Sequence, residues 1–412
     1  MTGQLHPLIE HIGQRITCSL HDADLSLTTP LVVAYSGGVD SSVLLQAIVD
    51  LREVHDFPIH AVHVHHGLSD NADNWARHCE LQCRLNDVTF HLHHVNVDLG
   101  ARKSLEAEAR KARYQVLLGV CREVGGALLL GQHAEDQLET VLLQLKRGAG
   151  PQGLSGMGEA QHREGVLVLR PMLAAEKSEI IQFARQYPIQ WVEDESNSLN
   201  SFDRNFLRNE IIPQLTARWP KLTKTVRRSA QLCAEQTEQV NETARSYLRE
   251  IERNSEQLNG QKLNALSASW RAAVIRAWFV AHRQLVPSKA QLDEILAMLN
   301  AKPDATPEVV FQWGKVARFQ GDLYWVKPPF ADAEPCMQLS ANSVHELPWL
   351  DGSVHIALSS EKAHSNIVLR TNMRSLKVKP STSAVSKPLK DWFKIWQVPR
   401  WERDGVLSYL CG

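Results

Sequence analysis

Ser36-Gly37-Gly38-Val39-Asp40-Ser41-Ser42 brings three hydroxyls, two adjacent glycines and a carboxylate within seven residues. Such a stretch is suited to holding a polyanion. Glycines let the backbone come close to a phosphate and take up positive φ. The free N–H groups of a helix's first turn point at the anion, and the helix dipole favours negative charge there. Asp40 is the discordant member, because a carboxylate beside phosphates repels them unless a divalent cation joins the two. The spacing is neither G-x-x-x-x-G-K-[ST] nor G-x-G-x-x-G, so the two common nucleotide loops are excluded.

Further on, Gly131-Gln132-His133-Ala134-Glu135-Asp136-Gln137-Leu138-Glu139-Thr140 opens a helix. Acidic residues complement a helix N-terminus in any protein. His133 and Asp136 standing together at a strand mouth read instead as a place for a cation or an ammonium. His63, His65 and His66 have no Cys or carboxylate near them in sequence, and read as loop residues beside a nucleotide rather than zinc ligands. Arg204 and Arg208 share a face if their segment is helical, which suits a phosphate or a base edge. The alternative is a salt bridge to Glu193, Asp194 or Glu195. Near the C-terminus Arg370, Arg374, Lys377, Lys379, Lys387, Lys390, Lys394, Arg400 and Arg403 outnumber Asp391, Glu402 and Asp404. Trp392, Phe393, Trp396 and Trp401 interleave with them, the footprint of an RNA contact, although aromatics in so small a domain are also core material.

These groups need a frame. Leu31-Val32-Val33 predicts a buried strand before the first loop, and Val43 to Val49 a buried helix after it. Strands are predicted at 59–65, 88–95 and 127–131, with helices at 8–16, 70–85, 104–124 and 134–146. Strands alternating with helices make a doubly wound parallel α/β sheet, Rossmann-like in build. The loops at 36–42, 65–69 and 131–136 all follow strands, so they converge on one crevice. Residues 147–158 are Gly-rich and aperiodic, either a plain loop or one that closes over substrate. The alternation stops at Pro213. A long helix over 218–252, further helices over 261–299, and short strands from Val309 follow. The predicted organisation is a catalytic domain at 1–215, a mainly helical domain at 216–330, and a small mixed α/β domain at 331–412.

A chain of 412 residues with a formal net charge of −1 has no global basic field, so any nucleic-acid surface is local. Seven cysteines without a Cys-x-x-Cys, and no evident signal peptide or apolar run long enough for a bilayer, point to a reducing, cytoplasmic compartment without membrane attachment.

Ser-Gly-Gly-x-Asp-Ser resembles the loop of the PP-loop, or N-type, ATP pyrophosphatases. Those enzymes cut ATP between the α- and β-phosphates and place AMP on a substrate oxygen. A longer series is similar to the tRNA(Ile)-lysidine synthetases in their extended form. It comprises Ser36 to Ser42, His63-Val64-His65-His66-Gly67-Leu68, Gly131-Gln132-His133 with Asp136 and Glu139-Thr140, Arg147-Gly148-Ala149-Gly150, and Arg204-Asn205 with Arg208 and Pro213. The family's motif often reads His-x-x-Asp-Asp. Gln137 stands in the second Asp position here, so only Asp136 is carried over.

The resemblance implies ATP and Mg2+ as cofactors, with L-lysine and an isoleucine tRNA carrying a CAU anticodon as partners. It implies adenylation of O2 of the wobble cytidine, then attack by the ε-amine of lysine. Ser36, Gly37, Gly38, Val39, Asp40, Ser41 and Ser42 would bind the nucleotide, with Asp40 on the metal. Asp136 would orient or deprotonate the amine, or share the metal. Arg204 or Arg208 would steady charge at the α-phosphate, Arg204 being the candidate catalytic residue beside Asp40 and Asp136. The two later domains would bind tRNA. A homodimer is compatible with all of this. The rival readings are a tRNA thiolase of the same superfamily and an inactive tRNA-binding protein that keeps the fold.

Overall fold

The computed structural model describes residues 5–67, 69–95, 105–193, 195, 202–302, 305–328, 336–339, 344–347, 352–355, 367–370, 375–380, 383–403 and 408–411. Leu68, Asp194, Arg374 and Asp404, named above, lie outside the described residues, and so does the side chain of Arg370. The chain forms two compact units, Met1–Glu238 and Gln239–Gly412.

The first unit opens with α1 (Pro7–Asp22), β1 (Leu31–Ala34), α2 (Val39–Leu51), β2 (Ile59–His65), α3 (Ala72–Leu85) and β3 (Thr89–His94). Then come α4 (Leu105–Val124), β4 (Ala127–Leu129), α5 (Ala134–Lys146), the short α6 (Pro151–Leu154), β5 (Ala160–Arg163), β6 (Val166–Leu169) and α7 (Lys177–Gln186). One sheet runs β3-β2-β1-β4-β6-β5, and every pairing is parallel except β5 with β6. Alternation along the buried strands feeds two cores. Leu31 and Val33 pack with Ile12, Ile16, Leu44, Ile48 and Phe183 from α1, α2 and α7. Val32 and Leu128 pack with Tyr114, Leu117 and Cys121 from α4. Each such side chain, fully removed from water, contributes about 1.5–3 kcal/mol. Helices therefore cover opposite faces on either side of β1, and the strand order reverses between β1 and β4. That reversal opens a crevice at the strands' carboxyl ends.

The β5–β6 hairpin is absent from the sequence reading. Ala160-Gln161-His162-Arg163 is largely exposed and polar, with no alternation to mark a strand, and only its pairing with buried Val166–Leu169 makes it one. The Gly-rich stretch before it is tied down. The Gln137 amide donates to Met157 O (3.0 Å) and accepts from Met157 N (2.7 Å). Arg170 bonds Gln132 Oε1 (2.6 Å) and Gly158 O (2.8 Å).

After α7 the chain turns through α8 (Asp203–Phe206), a π-helical segment at Leu207–Ile211, and α9 (Ile212–Arg218). The predicted long helix is α10 (Leu222–Ile251). The second unit continues with β7 (Glu252–Asn254), β8 (Gln257–Leu258), α11 (Gly260–Ala265), α12 (Ala268–Ala281), α13 (Lys289–Met298), β9 (Glu308–Phe311), β10 (Gly314–Phe319) and β11 (Asp322–Val326). Its antiparallel sheet runs β7-β8-β11-β10-β9. Trp278 and Phe279 are buried against Trp325, so this aromatic cluster is core, as its helical spacing indicated.

The C-terminal strands are β12 (Cys336–Leu339), β13 (Val344–Leu347), β14 (Gly352–His355), β15 (Ile367–Arg370), β16 (Lys377–Val378) and β17 (Lys387–Pro388), followed by α14 (Leu389–Ile395) and β18 (Ser408–Cys411). Trp392 and Phe393 are core, whereas Trp396, stacked on Trp392 at 5.4 Å, is half exposed. No helix among the described residues is long and apolar enough to cross a membrane.

Candidate active site

The first loop is shaped by two glycines. Gly37 has φ +84°, and a Cβ there would sit 2.9 Å from Cys79 Sγ and 3.0 Å from Val192 Cγ2. Gly131, at the end of β4, passes so close to α2 that a Cβ would lie 3.1 Å from the Asp40 carbonyl. The two loops can touch only because neither carries a side chain at the contact. Gly38 is the N-cap of α2 and offers no side chain to its first turn, so those N–H groups face the crevice. The loop braces itself with its own hydroxyls. Ser41 Oγ donates to Gly38 O (3.0 Å) and Ser42 Oγ to Gly37 O (3.3 Å), and Ser36 Oγ lies 3.1 Å from Ser41 Oγ. Ser42, read as a donor to the anion, is buried and turned into the loop.

Two chambers meet at Ser36 and Asp40. The smaller, about 410 Å³, lies over the ends of β1 and β2 and is lined by Val62, Val64, Tyr114, Leu117, Leu130 and the His65–Gly67 loop. All three predicted loops therefore reach one place. His63 is buried, with Nδ1 3.0 Å from Tyr35 O, and burial holds its pKa below the ordinary value. The neutral ring donates from Nδ1, which leaves Nε2 as an acceptor.

The larger chamber, about 880 Å³, is lined by Asp40, Glu135, Glu139, Glu193 and Glu195 against Arg113, Lys177, Arg208 and His133. His133 is its hub. Asp136 Oδ2 accepts the His133 backbone N–H (3.0 Å), closing the first turn of α5. The imidazole puts Nδ1 2.9 Å from Glu135 Oε2, and Nε2 3.4 Å from Asp136 Oδ2 and 3.7 Å from Asp40 Oδ1. Burial works against its charge, but these carboxylates outweigh burial and its pKa is raised. Arg208 forms a fork. Nε reaches Glu139 Oε1 (2.6 Å), and one terminal nitrogen reaches Glu139 Oε2 (3.0 Å) and Asp136 Oδ1 (2.9 Å). Glu139 is 1 % exposed, and burial lifts its pKa even with Arg208 beside it. Lys177, the first residue of α7, sets its ammonium 2.5 Å from Asp40 Oδ1, while its backbone N–H donates to Glu135 Oε2 (3.0 Å).

A PP-loop domain model matches residues 10–215, a TilS substrate binding domain 258–324, and a TilS substrate C-terminal domain 367–407. The tRNA(Ile)-lysidine synthase of Vibrio campbellii is 37 % identical over 396 residues, covering 92 % of this chain and 88 % of that protein. That of Vibrio cholerae strain O395 is 40 % identical over 384 residues, covering 90 % and 86 %. The chain belongs to the tRNA(Ile)-lysidine synthase family. Among solved structures, the U34-tRNA thiolase NcsA from Methanococcus maripaludis is similar over 55 % of this chain and 79 % of its own, at 16 % identity and a TM-score of 0.47.

Within this family frame the residues read from sequence fall as follows. Ser36, Gly38, Val39 and Asp40 line the larger chamber, and Ser41 the smaller. Asp136 stands beside Asp40 across His133, with both of its oxygens engaged. Among the described lining residues of the larger chamber Arg208 is present and Arg204 is not. Arg204 acts on Glu139 through its charge. Arg208 pairs with Glu139 and Asp136 rather than with the 193–195 segment. Gln137 is buried and turned away from the crevice. Only an amide supplies both the donor and the acceptor that Met157 requires, so a carboxylate would fail there. Lys177 escaped the sequence reading because no motif surrounds it. Glu139 was seen only as part of a motif, although its place between Leu138 and Val141 marks the inner face of α5.

Proposed function

We propose that this member of the family ligates free L-lysine to C2 of the wobble cytidine in an isoleucine tRNA with a CAU anticodon, using ATP and releasing pyrophosphate and AMP. The observation that carries the reading is an open helix N-terminus with a carboxylate, Asp40, at the junction of an apolar chamber and an acidic one. The apolar chamber suits the nucleoside of ATP, with the phosphates over the first turn of α2. The acidic chamber suits the ammonium groups of lysine and has room for a splayed-out base.

Mg2+ fits this arrangement in a particular way. Among the described residues no three His, Cys, Asp or Glu side chains form a ready cation cage. Mg2+ is commonly held by one or two carboxylates plus substrate phosphates and water. Asp40 would supply the carboxylate, and the bound ion would offset phosphate charge.

The chain's own residues account for the rest. The α2 N-terminus grips the leaving phosphates and leaves the α-phosphorus open to O2 of cytidine. That oxygen becomes a leaving group only once adenylated, so adenylation precedes attack by the amine. Asp136, ionised and held from both sides, attracts the ammonium of lysine, and its engaged oxygens favour orientation over proton transfer. His133, charged and buried among carboxylates, keeps Asp136 and Glu135 ionised. The thiolase alternative needs reactive sulfur. Burial pushes the Cys83 and Cys121 thiols up to about 12 and raises Cys79 as well, which makes poor nucleophiles.

Enzyme, ATP, Mg2+ and tRNA without lysine should yield pyrophosphate and a tRNA carrying AMP, and lysine should then discharge the AMP. Asp40→Asn should suppress the first step even with saturating lysine. ADP as product, or adenylated lysine formed without tRNA, would overturn the mechanism.

A further inference from the structure

We propose that Lys177 is the residue that takes up the β- and γ-phosphates of ATP, and that its bond to Asp40 is the resting position from which it moves. The proposal rests on reading residues 36–42 as the ATP phosphate site. An entering triphosphate meets a larger chamber whose described lining carries five carboxylates, and Arg208 there is already forked onto Glu139 and Asp136. Lys177 differs from Arg208 in two respects. Its ammonium touches Asp40, at the first turn of α2, so it already sits where the phosphates are to lie. Its side chain is one-third exposed, and among the described residues that ammonium has Asp40 as its hydrogen-bond partner.

The anchoring suits a swing. The Lys177 backbone is fixed by Glu135, and the start of α7 is closed by Glu179 Oε2 accepting the Glu176 N–H (2.8 Å). The main chain stays while a flexible four-carbon stem carries the charge. In the resting chain Lys177 also cancels the charge of Asp40, which would otherwise repel ATP. Once a divalent cation replaces it on Asp40, the ammonium is released onto the phosphate oxygens, where its bonds are charge-assisted.

Direct binding of ATP and of AMP, measured by calorimetry with Mg2+ and without tRNA or lysine, tests this. Lys177→Gln should weaken ATP by about ten- to a hundredfold and leave AMP unchanged, since AMP lacks the two outer phosphates. Lys177→Arg should restore most of the ATP affinity. The loss from Lys177→Gln should persist in an Asp40→Asn background, because the lysine acts on phosphate and not through Asp40. Equal losses for ATP and AMP, or a loss that vanishes in the Asp40→Asn background, would show Lys177 to be only a partner of Asp40 and overturn the proposal. Absence of ATP binding by the unaltered chain would overturn the phosphate-site assignment itself, and this proposal with it.

Discussion

Replacing Arg208 by Met leaves Glu139 and one oxygen of Asp136 without their cation. Glu139 is the decisive group, since its carboxylate is 1 % exposed and Arg208 satisfies both of its oxygens. Breaking a buried pair from one side costs about 3–5 kcal/mol. Arg208 itself is 39 % exposed, so water softens the loss and the lower end, about 3 kcal/mol, is expected. For a unit of this size each kcal/mol moves Tm by about 2–4 °C, which gives a fall of roughly 6–12 °C near neutral pH. The fall should shrink in acid. A carboxyl whose folded pKa is raised binds its proton more tightly folded than unfolded, so it favours the fold at low pH and opposes it once pH passes the folded value. Glu139 is raised even with Arg208 present, and removing the guanidinium raises it further. Thermal unfolding of both proteins at pH 5 and pH 8 measures this. A Tm unchanged by the substitution, or a deficit equal at both pH values, would refute the pairing as a structural bond and return Arg208 to the role of a phosphate ligand.

Gly37→Ala should cost stability and ATP affinity together, because it combines a positive φ with a Cβ against Cys79 and Val192; calorimetry and a melting curve read both. His133 should keep its imidazolium well above pH 6.5, visible in ¹⁵N NMR of the ring. Its contribution to stability is whole below the unfolded value near 6.5 and fades as pH rises through the raised folded value, so His133→Gln should lose most stability, relative to the unaltered chain, in acid. Lys390→Ala with Lys394→Ala should lower the salt dependence of tRNA binding by roughly two units of slope if both contact phosphate, with ATP affinity unchanged.

Much of the frame could be read from the residues. Residues 134–146 were predicted as a helix and form one, because Glu135 and Asp136 mark its start and Leu138 and Val141 its buried face. The loops at 36–42, 65–69 and 131–136 follow strands, and their convergence came with the parallel sheet. What stayed hidden depends on contacts distant in sequence. Arg208 lies 69 residues from Glu139, and the nearer acids at 193–195 looked the natural partners. Glu139 is three residues after Asp136, a spacing that on an exposed helix means only a shared acidic face. Its burial is decided by segments packed on α5, which no local pattern encodes. The β5–β6 hairpin was missed for the same reason, its outer strand being polar throughout.

The segment that carries Arg208 has a consequence for how such a chain can vary. Residues 203–218 run through α8, five residues of π-helix and α9, with Pro213 in the first turn of α9. Proline brings no N–H to the carbonyl four residues before it and crowds that carbonyl, and a wider turn relieves the crowding. Deleting one residue from 207–211 would restore α spacing and rotate everything beyond the cut by about 100° relative to what precedes it. Arg208 and Ile212, which line the same chamber, would then no longer face it together. Here the length of the chain works as an angular setting. A single codon gained or lost between 207 and 211 re-aims the helix instead of shortening it, so an in-frame deletion at this spot should be worse tolerated than most point substitutions along the same helix.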